Sequence, residues 1–422
     1  MIGLLPIYKD YIDFLNDKTN NKLNFLTEGK YWYDKSIIKA FDLNGELIKI
    51  ARLTVDDNLD ITVKFYGKDI PVIETWNDTI SRYEEELMLL EKESKELILK
   101  SLQKYEGRDM AVLSSGGKDS TVTTFLVRTC TENPKIIFNN TSLDCADTYI
   151  HIKKEKNLTI INPKEGFYQW RKKLNFIPTR FARGCCRVFK EEAMVDHLDN
   201  NNKYLFFMGM RNQESSKRSA YGDEWKNHKW EGRDWDAILP IRKWTEFQIW
   251  LYIIQNNIDI NPKYKKGYSR VGCAIACPYY TKSTWVLDSY WYTKAANRWK
   301  DILIKDFREN NKDLIMNCTE KEYLTSWNGG VYRQEPTDEV VEEFARRSGL
   351  NVEVARNYFN HKCKECGKRI KSKDVIGMNM KFSGRNVRDM YCKKHLKEKL
   401  DITNETWDVY VKTFKDQGCE LF

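Results

Sequence analysis

The run Ser114-Ser115-Gly116-Gly117-Lys118-Asp119-Ser120 constrains this chain more than any other segment. It follows the apolar stretch Met110 to Leu113 and opens a segment where Val122, Phe125, Leu126 and Cys130 fall at i, i+3, i+4 and i+8, one buried helix face. A strand that turns on two glycines into a helix aims its backbone N–H groups inward as an anion nest, and the helix start adds partial positive charge. Lys118 supplies a mobile cation for phosphate, and Asp119 can hold Mg2+ directly or through water. Ser115 and Ser120 can donate hydroxyls to phosphate oxygens. A kinase-type P-loop is excluded, because its leading glycine would fall at Val112 and its Ser/Thr after the lysine at Asp119. The plain alternative is an ordinary strand-to-helix turn.

Beyond the turn, strand and helix patterns alternate. Lys135 to Phe138, Leu158 to Ile161 and Tyr204 to Met208 read as strands, and Ala146 to Lys156 as a helix. Such alternation implies a parallel sheet with helices on its faces, and ligands then sit outside the carboxyl ends of the strands. The glycine turn lies at that end.

The rest of the chain divides around this core, expected over 108–260. Residues 1–75 form a β-rich module, with strands Ile37 to Phe41, Leu47 to Leu53 and Ile61 to Phe65 and a hairpin signal at Asn44-Gly45. Residues 76–107 form one long helix whose apolar row Ile80, Tyr83, Leu87, Leu90 and Leu97 is broken by Ser94. An aromatic-rich extension covers 261–335. Its Tyr279, Tyr280, Trp285, Tyr290, Trp291 and Trp299, interleaved with Lys282, Lys294 and Arg298, can stack bases, although helical spacing favours internal packing. A helical segment and a cysteine-bearing tail fill 336–422.

The 422 residues, 41% of them hydrophobic, suffice for two or three cored domains. No apolar run approaches the ~18 residues of a membrane span. Met1 to Ile7 lacks a basic flank, so no signal peptide is read and the expected location is the cytoplasm, with no membrane partner. The net charge of +9 suits polyanionic ligands such as nucleotides or nucleic acid. Eleven cysteines, an odd count, favour metal or redox use over a disulfide scaffold.

Two cysteine sets follow. Cys185 and Cys186 with Cys273 and Cys277 make a four-thiolate candidate for a [4Fe-4S] cluster, since adjacent cysteines can ligate separate iron corners. Buried structural cysteine is the alternative. Cys363-x-x-Cys366 with Cys392-x-x-His395 reads as a closed, structural Zn2+ set. Lys364, Lys368, Arg369, Lys371, Lys373, Lys393 and Lys394 make this tail basic, able to contact phosphate backbones or simply to keep a small domain soluble.

The glycine turn resembles the pyrophosphate loop of PP-loop ATP pyrophosphatases, which cut ATP between the α and β phosphates. Further motifs narrow the resemblance to phosphoadenosine phosphosulfate (PAPS) reductases and DNA-phosphorothioation ATPases. They are Asn140-Thr141-Ser142-Leu143-Asp144, Arg183-Gly184-Cys185-Cys186-Arg187, Gly209 to Ser215 with Arg218, Pro240-Ile241 with Trp244-Thr245, and Asn261-Pro262 through Gly267 to Cys273. The resemblance covers about Arg108 to Pro278. It implies an α/β fold with a parallel-sheet, Rossmann-like core of the adenine nucleotide alpha hydrolase type. It also implies an adenine nucleotide site at Ser115, Gly116, Gly117, Lys118, Asp119, Ser120, Thr141, Arg211, Glu214 and Ser215, with Ser115, Lys118 and Asp119 catalytic. The cysteine pair and Cys273-x-x-x-Cys277 are similar to the CC…CxxC ligands of iron–sulfur adenylylsulfate (APS) reductases, with one residue more between the last two, which puts Cys277 in doubt. Reductases of the family carry a nucleophilic cysteine in Glu-Cys-Gly followed by a hydrophobic residue and His. Here Lys368-Arg369 follows Glu365-Cys366-Gly367, Cys366 is claimed by the zinc pattern, and Gly418-Cys419-Glu420 matches less well.

The expected activity is therefore ATP- and Mg2+-dependent thiolation. The acceptor is adenylated with release of pyrophosphate, and sulfur from a donor such as a cysteine desulfurase then replaces oxygen. The acceptor is a nucleic acid or a carrier-bound or small-molecule amide. The alternatives are reduction of PAPS or APS, and a non-catalytic nucleic-acid-binding regulator on the same fold.

Overall fold

The computed structural model describes residues 4–310, 320–327 and 362–416, together with 342, 345 and 352. Within those spans, 57, 175–176, 179–183, 200, 215, 227–229, 231, 274, 369, 371 and 384–389 are left out. The chain forms two compact units, Met1–Gly166 with Arg187–Ala274 and Phe167–Cys186 with Ile275–Phe422.

The first unit holds two sheets. The N-terminal sheet is an antiparallel meander of β1 (Leu5–Pro6), β2 (Trp32–Asp34), β3 (Ile37–Phe41), β4 (Leu47–Val55) and β5 (Ile61–Phe65), in that order. The Asn44-Gly45 signal forms the β3–β4 hairpin. Gly45 takes φ +80°, and the Asp42 carboxylate accepts the amides of Asn44 and Glu46 at 2.9 and 2.8 Å. After the meander the helix α1 (Lys9–Lys18), which lies between β1 and β2 in sequence, is joined by α2 (Trp76–Lys104), opened by a Thr75/Asp78 capping box.

Ser94 does not break the buried row of α2. It is itself buried, donates to the Pro240 carbonyl at 2.9 Å and accepts from Trp244 Nε1 at 3.0 Å. A serine at a core position of a helix thus satisfies two polar groups from a segment far along the chain.

The second sheet runs β10 (Glu224–Trp225), β11 (Trp235–Ile238), β9 (Tyr204–Met208), β6 (Asp109–Ser114), β7 (Lys135–Asn139), β8 (Leu158–Ile161). Every pairing is parallel except β10 on β11, so the expected parallel sheet carries one antiparallel edge. With β6 between β9 and β7, the glycine turn leaves the middle of the sheet. The helix α3 (Lys118–Cys130) buries Val122 and Leu126 fully against Val112 and Phe207, with Trp250 and Tyr252 of the helix Glu246–Gln255 in the same core. Phe125 and Cys130 are only partly buried there. The core also takes in Trp32, Phe41 and Trp76, so the N-terminal meander and α2 share one apolar interior with the parallel sheet. The opposite face buries Ala111, Ile137, Phe206 and Trp235.

The helix α4 (Ala146–Ile152) stops four residues before the expected Lys156. The chain leaves it in single turns, Lys154 N to His151 O and Glu155 N to Ile152 O, and reaches β8 through Asn157 at φ +53°.

In the second unit, the aromatic extension packs inward. Tyr280, Trp285 and Trp299 are buried, Phe167 and Trp299 lie 6.0 Å apart, and the Arg298 guanidinium covers the Tyr168 ring at 3.6 Å. Tyr290 alone of the six is exposed. The helices Lys373–Phe382, Lys393–Leu400 and Asn404–Asp416 enclose Met378, Met390, Leu396 and Trp407. Asn379 exchanges two hydrogen bonds with the Tyr391 backbone, at 2.8 and 2.7 Å, and ties the first of these helices to the segment before the second. Among the described residues no helix is long and apolar enough to cross a membrane.

Candidate functional site

The turn between β6 and α3 is built by glycine where side chains cannot go. Gly116 has φ +68°, and a Cβ there would lie 3.3 Å from Thr148 Cγ2 and 3.6 Å from Asn261 Nδ2. The loop amides are held by hydroxyl oxygens: Gly116 N donates to Ser114 Oγ at 3.2 Å, Ser115 N to Ser120 Oγ at 3.3 Å, and Lys118 N to Tyr264 OH at 2.9 Å. These are soft, replaceable partners of the kind an incoming phosphate oxygen displaces.

Lys118 is not the mobile cation expected. It is 6% exposed, with Nζ 3.0 Å from Asp119 Oδ2 and 3.1 Å from Glu246 Oε1. Burial alone would lower its pKa, yet Asp119, the Tyr264 hydroxyl and Glu246 outweigh that and raise it. Burial likewise opposes ionisation of Asp119, but Lys118 and Arg211 hold its carboxyl below the usual range. The Asp119 oxygens are divided between the two cations, Oδ2 toward Lys118 and Oδ1 accepting from Arg211 Nε. A directly bound Mg2+ would have to displace one of them, whereas a hydrated Mg2+ would leave both in place.

Arg211, 4% exposed, sits just beyond the end of β9. Its Nη1 is buried with no hydrogen-bond partner among the described residues. A buried guanidinium N–H without an acceptor is costly, and a phosphate oxygen would satisfy it. Glu214 fixes this segment by accepting the Arg211 amide at 3.0 Å and pairing with Arg218. Thr141 is buried and donates its amide and hydroxyl to Asp144 Oδ2 at 3.2 and 2.7 Å, shaping the turn after β7 rather than reaching the loop. Ser215, Arg183 and Cys419 lie outside the described residues.

Four contributors were not assigned a role from sequence. Glu246 opens the helix Glu246–Gln255 and Tyr264 lies in the short helix Pro262–Lys265. Asn261, the cap of that helix, donates to Thr148 Oγ1 at 3.1 Å. Gly209 passes so close to α3 that a Cβ would lie 2.6 Å from the Asp119 carbonyl carbon. The Thr245/Gln248 capping box around Glu246 is readable as a helix start, but nothing in local sequence links it to Lys118.

Cys363, Cys366, Cys392 and His395 converge, with all ligand atoms within 4.8 Å of one another. Cys363 Sγ and Cys392 Sγ lie 3.2 and 3.5 Å from His395 Nδ1, and Cys366 Sγ lies 4.0 Å from Cys392 Sγ. Tetrahedral Zn2+ with usual bond lengths sets S···N near about 3.6 Å and S···S near about 3.8 Å, so the donor set fits that ion. Burial pushes the Cys363 thiol up, but backbone amides of Cys392, Cys366 and Glu365 and the His395 ring bring it down to about 6, toward the thiolate a metal needs.

Of the other set, Cys185 and Cys186 end the short helix Gly184–Cys186, which a π-helical turn, Arg187–Glu192, follows in sequence. Cys273 and Cys277 lie in irregular backbone. All four are half-buried and outside disulfides. Cys185, Cys186 and Cys277 belong to the second unit and Cys273 to the first.

A parallel sheet with a glycine turn, a lysine–aspartate pair and a buried arginine at its carboxyl edge is an α/β arrangement suited to a phosphate-bearing ligand. Residues 109–278 match the phosphoadenosine phosphosulfate reductase domain. An uncharacterized protein of Methanocaldococcus jannaschii is 29% identical over 266 residues, 61% of this chain and 61% of that protein. The match thus spans about three fifths of that relative's length. Adenosine 5'-phosphosulfate reductase 2 of Bacillus subtilis is 25% identical over 215 residues, 47% of this chain and 84% of the reductase. Among solved structures, the phosphoadenylyl-sulfate reductase of Candida auris in its phosphate complex is 19% identical with a TM-score of 0.36, covering 48% of this chain and 97% of that one.

Proposed function

We propose that the protein is an ATP-dependent sulfur-transfer enzyme that adenylates an acceptor oxygen, releases pyrophosphate, and replaces that oxygen by sulfur. What carries this reading over sulfonucleotide reduction is the placement of Cys366. The better of the two sequence matches to the reductase nucleophile, Cys366, sits inside the four-donor Cys/His cluster, where its sulfur is one of four atoms that could hold a metal. The charge arrangement at the turn supports the adenylating half. Arg211 Nη1 and Lys118 Nζ offer positive charge for the leaving pyrophosphate, and Asp119 keeps both cations in place. In the same reading Ser115, Lys118 and Asp119 do the chemistry, and Ser115, Gly116, Gly117, Ser120, Thr141, Arg211, Glu214 and Ser215 complete the nucleotide site. A [4Fe-4S] cluster on Cys185, Cys186, Cys273 and Cys277 would be fully ligated; with Cys277 off the metal, the other three thiolates would leave one iron open to hold a sulfur atom.

The second reading, reduction of APS or PAPS, is favoured by the relatives named as APS reductases. The two readings separate on product. With ATP, Mg2+, sulfide and each acceptor class, sulfur transfer releases pyrophosphate that Lys118→Ala and Asp119→Ala abolish. Reduction instead, with a dithiol supplied as the two-electron reductant, yields sulfite and AMP or adenosine 3',5'-bisphosphate from APS or PAPS with no need for ATP. Sulfite without pyrophosphate would reverse the assignment. Anaerobic purification with iron, sulfide and zinc analysis tests the cluster, which requires about four irons per chain beside the zinc.

A further inference from the structure

The N-terminal meander carries a groove of about 490 Å3 lined by Phe25, Lys49, Phe65, Tyr66, Lys68 and Asp69, among others. That volume lies within the range of ligand-binding clefts. Phe65 and Tyr66 are each about two-fifths exposed, an unusual outlay of aromatic surface for a strand end. Both rings are held. Phe65 meets Phe25 at 6.1 Å, and the Tyr66 hydroxyl accepts from Arg52 Nε at 3.1 Å. Lys49 Nζ lies 5.7 Å from the Tyr66 ring centre.

The charge around these rings is one-sided. Lys49, Lys64 and Lys68 are exposed, and among the described residues no carboxylate pairs with them. Asp69 is the one acidic residue of the lining. β5 is the edge of its sheet, so a peptide strand is the first occupant to weigh. Lys64 within that strand works against it, because an edge lysine discourages strand addition. Exposed aromatic faces interleaved with unpaired lysines instead match a chain of bases and phosphates.

We propose that this groove binds single-stranded nucleic acid, with bases on Phe65 and Tyr66 and phosphates at Lys49 and Lys68. The inference deepens the thiolation reading by naming the class of its acceptor. It is tested on the full chain without ATP, by fluorescence anisotropy of labelled single-stranded RNA and DNA of about 15 nucleotides and of the RNA duplex. Single strands bind at least about tenfold more tightly than the duplex. The double variant Lys49→Glu/Lys68→Glu weakens binding by about tenfold or more, and the salt slope falls by about 1.4, at about 0.7 for each phosphate contact on a single strand. Tyr66→Ala weakens binding at least about fivefold and leaves the slope unchanged. Lys68→Glu alone, in the loop after β5, guards against misfolding of the double variant, and thermal melts check both. No binding, equal binding of the duplex, or affinity unmoved by the lysine and tyrosine variants would overturn the proposal. ATP affinity and pyrophosphate release, measured alongside, keep the two claims apart. A groove that fails while Lys118-dependent pyrophosphate release persists leaves the nucleotide chemistry standing, and the reverse result leaves the groove.

Discussion

Replacing Gly209 with alanine tests the central geometry of the proposed nucleotide site with a single methyl group. An ideal Cβ at this position lies 2.6 Å from the Asp119 carbonyl carbon, 2.7 Å from its oxygen and 2.8 Å from Ser120 N. All three are main-chain atoms and cannot rotate away. Ordinary contact begins near 3.4 Å, so the segment after β9 and the first turn of α3 must separate by about 0.8 Å. Overpacking on that scale costs about 1–3 kcal/mol. At about 2–4 °C per kcal/mol, the melting temperature falls by roughly 2–12 °C. Function suffers more, because Lys118 and Asp119 ride on the displaced turn, and a misplacement near 1 Å costs about 100-fold in rate. The assay pairs thermal melting with calorimetric titration of Mg-ATP and a pyrophosphate-release rate. Gly166→Ala is the control, since a Cβ there meets nothing nearer than Ser142 Oγ at 3.9 Å. A Gly209→Ala protein that melts, binds ATP and turns over like the parent would refute the close approach and the placement of the turn with it.

Glu246→Gln removes one of the two carboxylates that hold Lys118. Affinity for pyrophosphate should rise about tenfold, or ~1.4 kcal/mol, because the lysine no longer leaves an ion pair to reach it. Product-inhibition constants read this directly, and unchanged inhibition counts against the competition. His151, 4% exposed, has neither ring nitrogen hydrogen-bonded among the described residues, and burial lowers its pKa below the usual 6.5 despite Asp259 nearby. Its contribution to stability is complete above 6.5 and declines as pH falls toward the depressed native value, because the unfolded chain takes up a proton that the folded chain refuses. The slope in that window reaches at most about 1.4 kcal/mol per pH unit, and His151→Phe should flatten it in denaturant melts between about pH 7.5 and 5.5. Chelation of zinc, or Cys363→Ser, should release the metal to a chromogenic dye and abolish amide-exchange protection of Lys393–Leu400 while ATP affinity is kept. Persistent protection after zinc removal would mean that the Met378–Trp407 core holds the module alone.

Much of the architecture is written in local pattern. The strands Ile61–Phe65, Leu158–Ile161 and Tyr204–Met208 and the helix start at Trp76 follow from period and capping, which act within a few residues. Ser94 shows where pattern ends. A polar residue in an apolar row reads as a gap unless the partners are known, and those partners, Pro240 and Trp244, lie far along the chain. The site divides the same way. The glycine turn and the Cys/His donors announce themselves by spacing. The pinning of Lys118 does not, because Glu246, the first residue of the helix Glu246–Gln255, and Tyr264, beyond its end, reach it only after that helix has packed against α3. Gly209 was visible as part of a motif, but its reason, a main-chain approach to Asp119, is purely tertiary.

The order in which the two units use the chain has a consequence for its synthesis. The polypeptide switches unit after Gly166, after Cys186 and after Ala274, so no single cut separates the two parts cleanly. As the chain emerges, the rings of Phe167 and Tyr168 appear well before Trp299, the indole they pack against, while Arg187–Ala274 can already complete the earlier unit. For that interval a short aromatic segment waits without its neighbours, and any fragment ending near Ala274 would strand it there permanently.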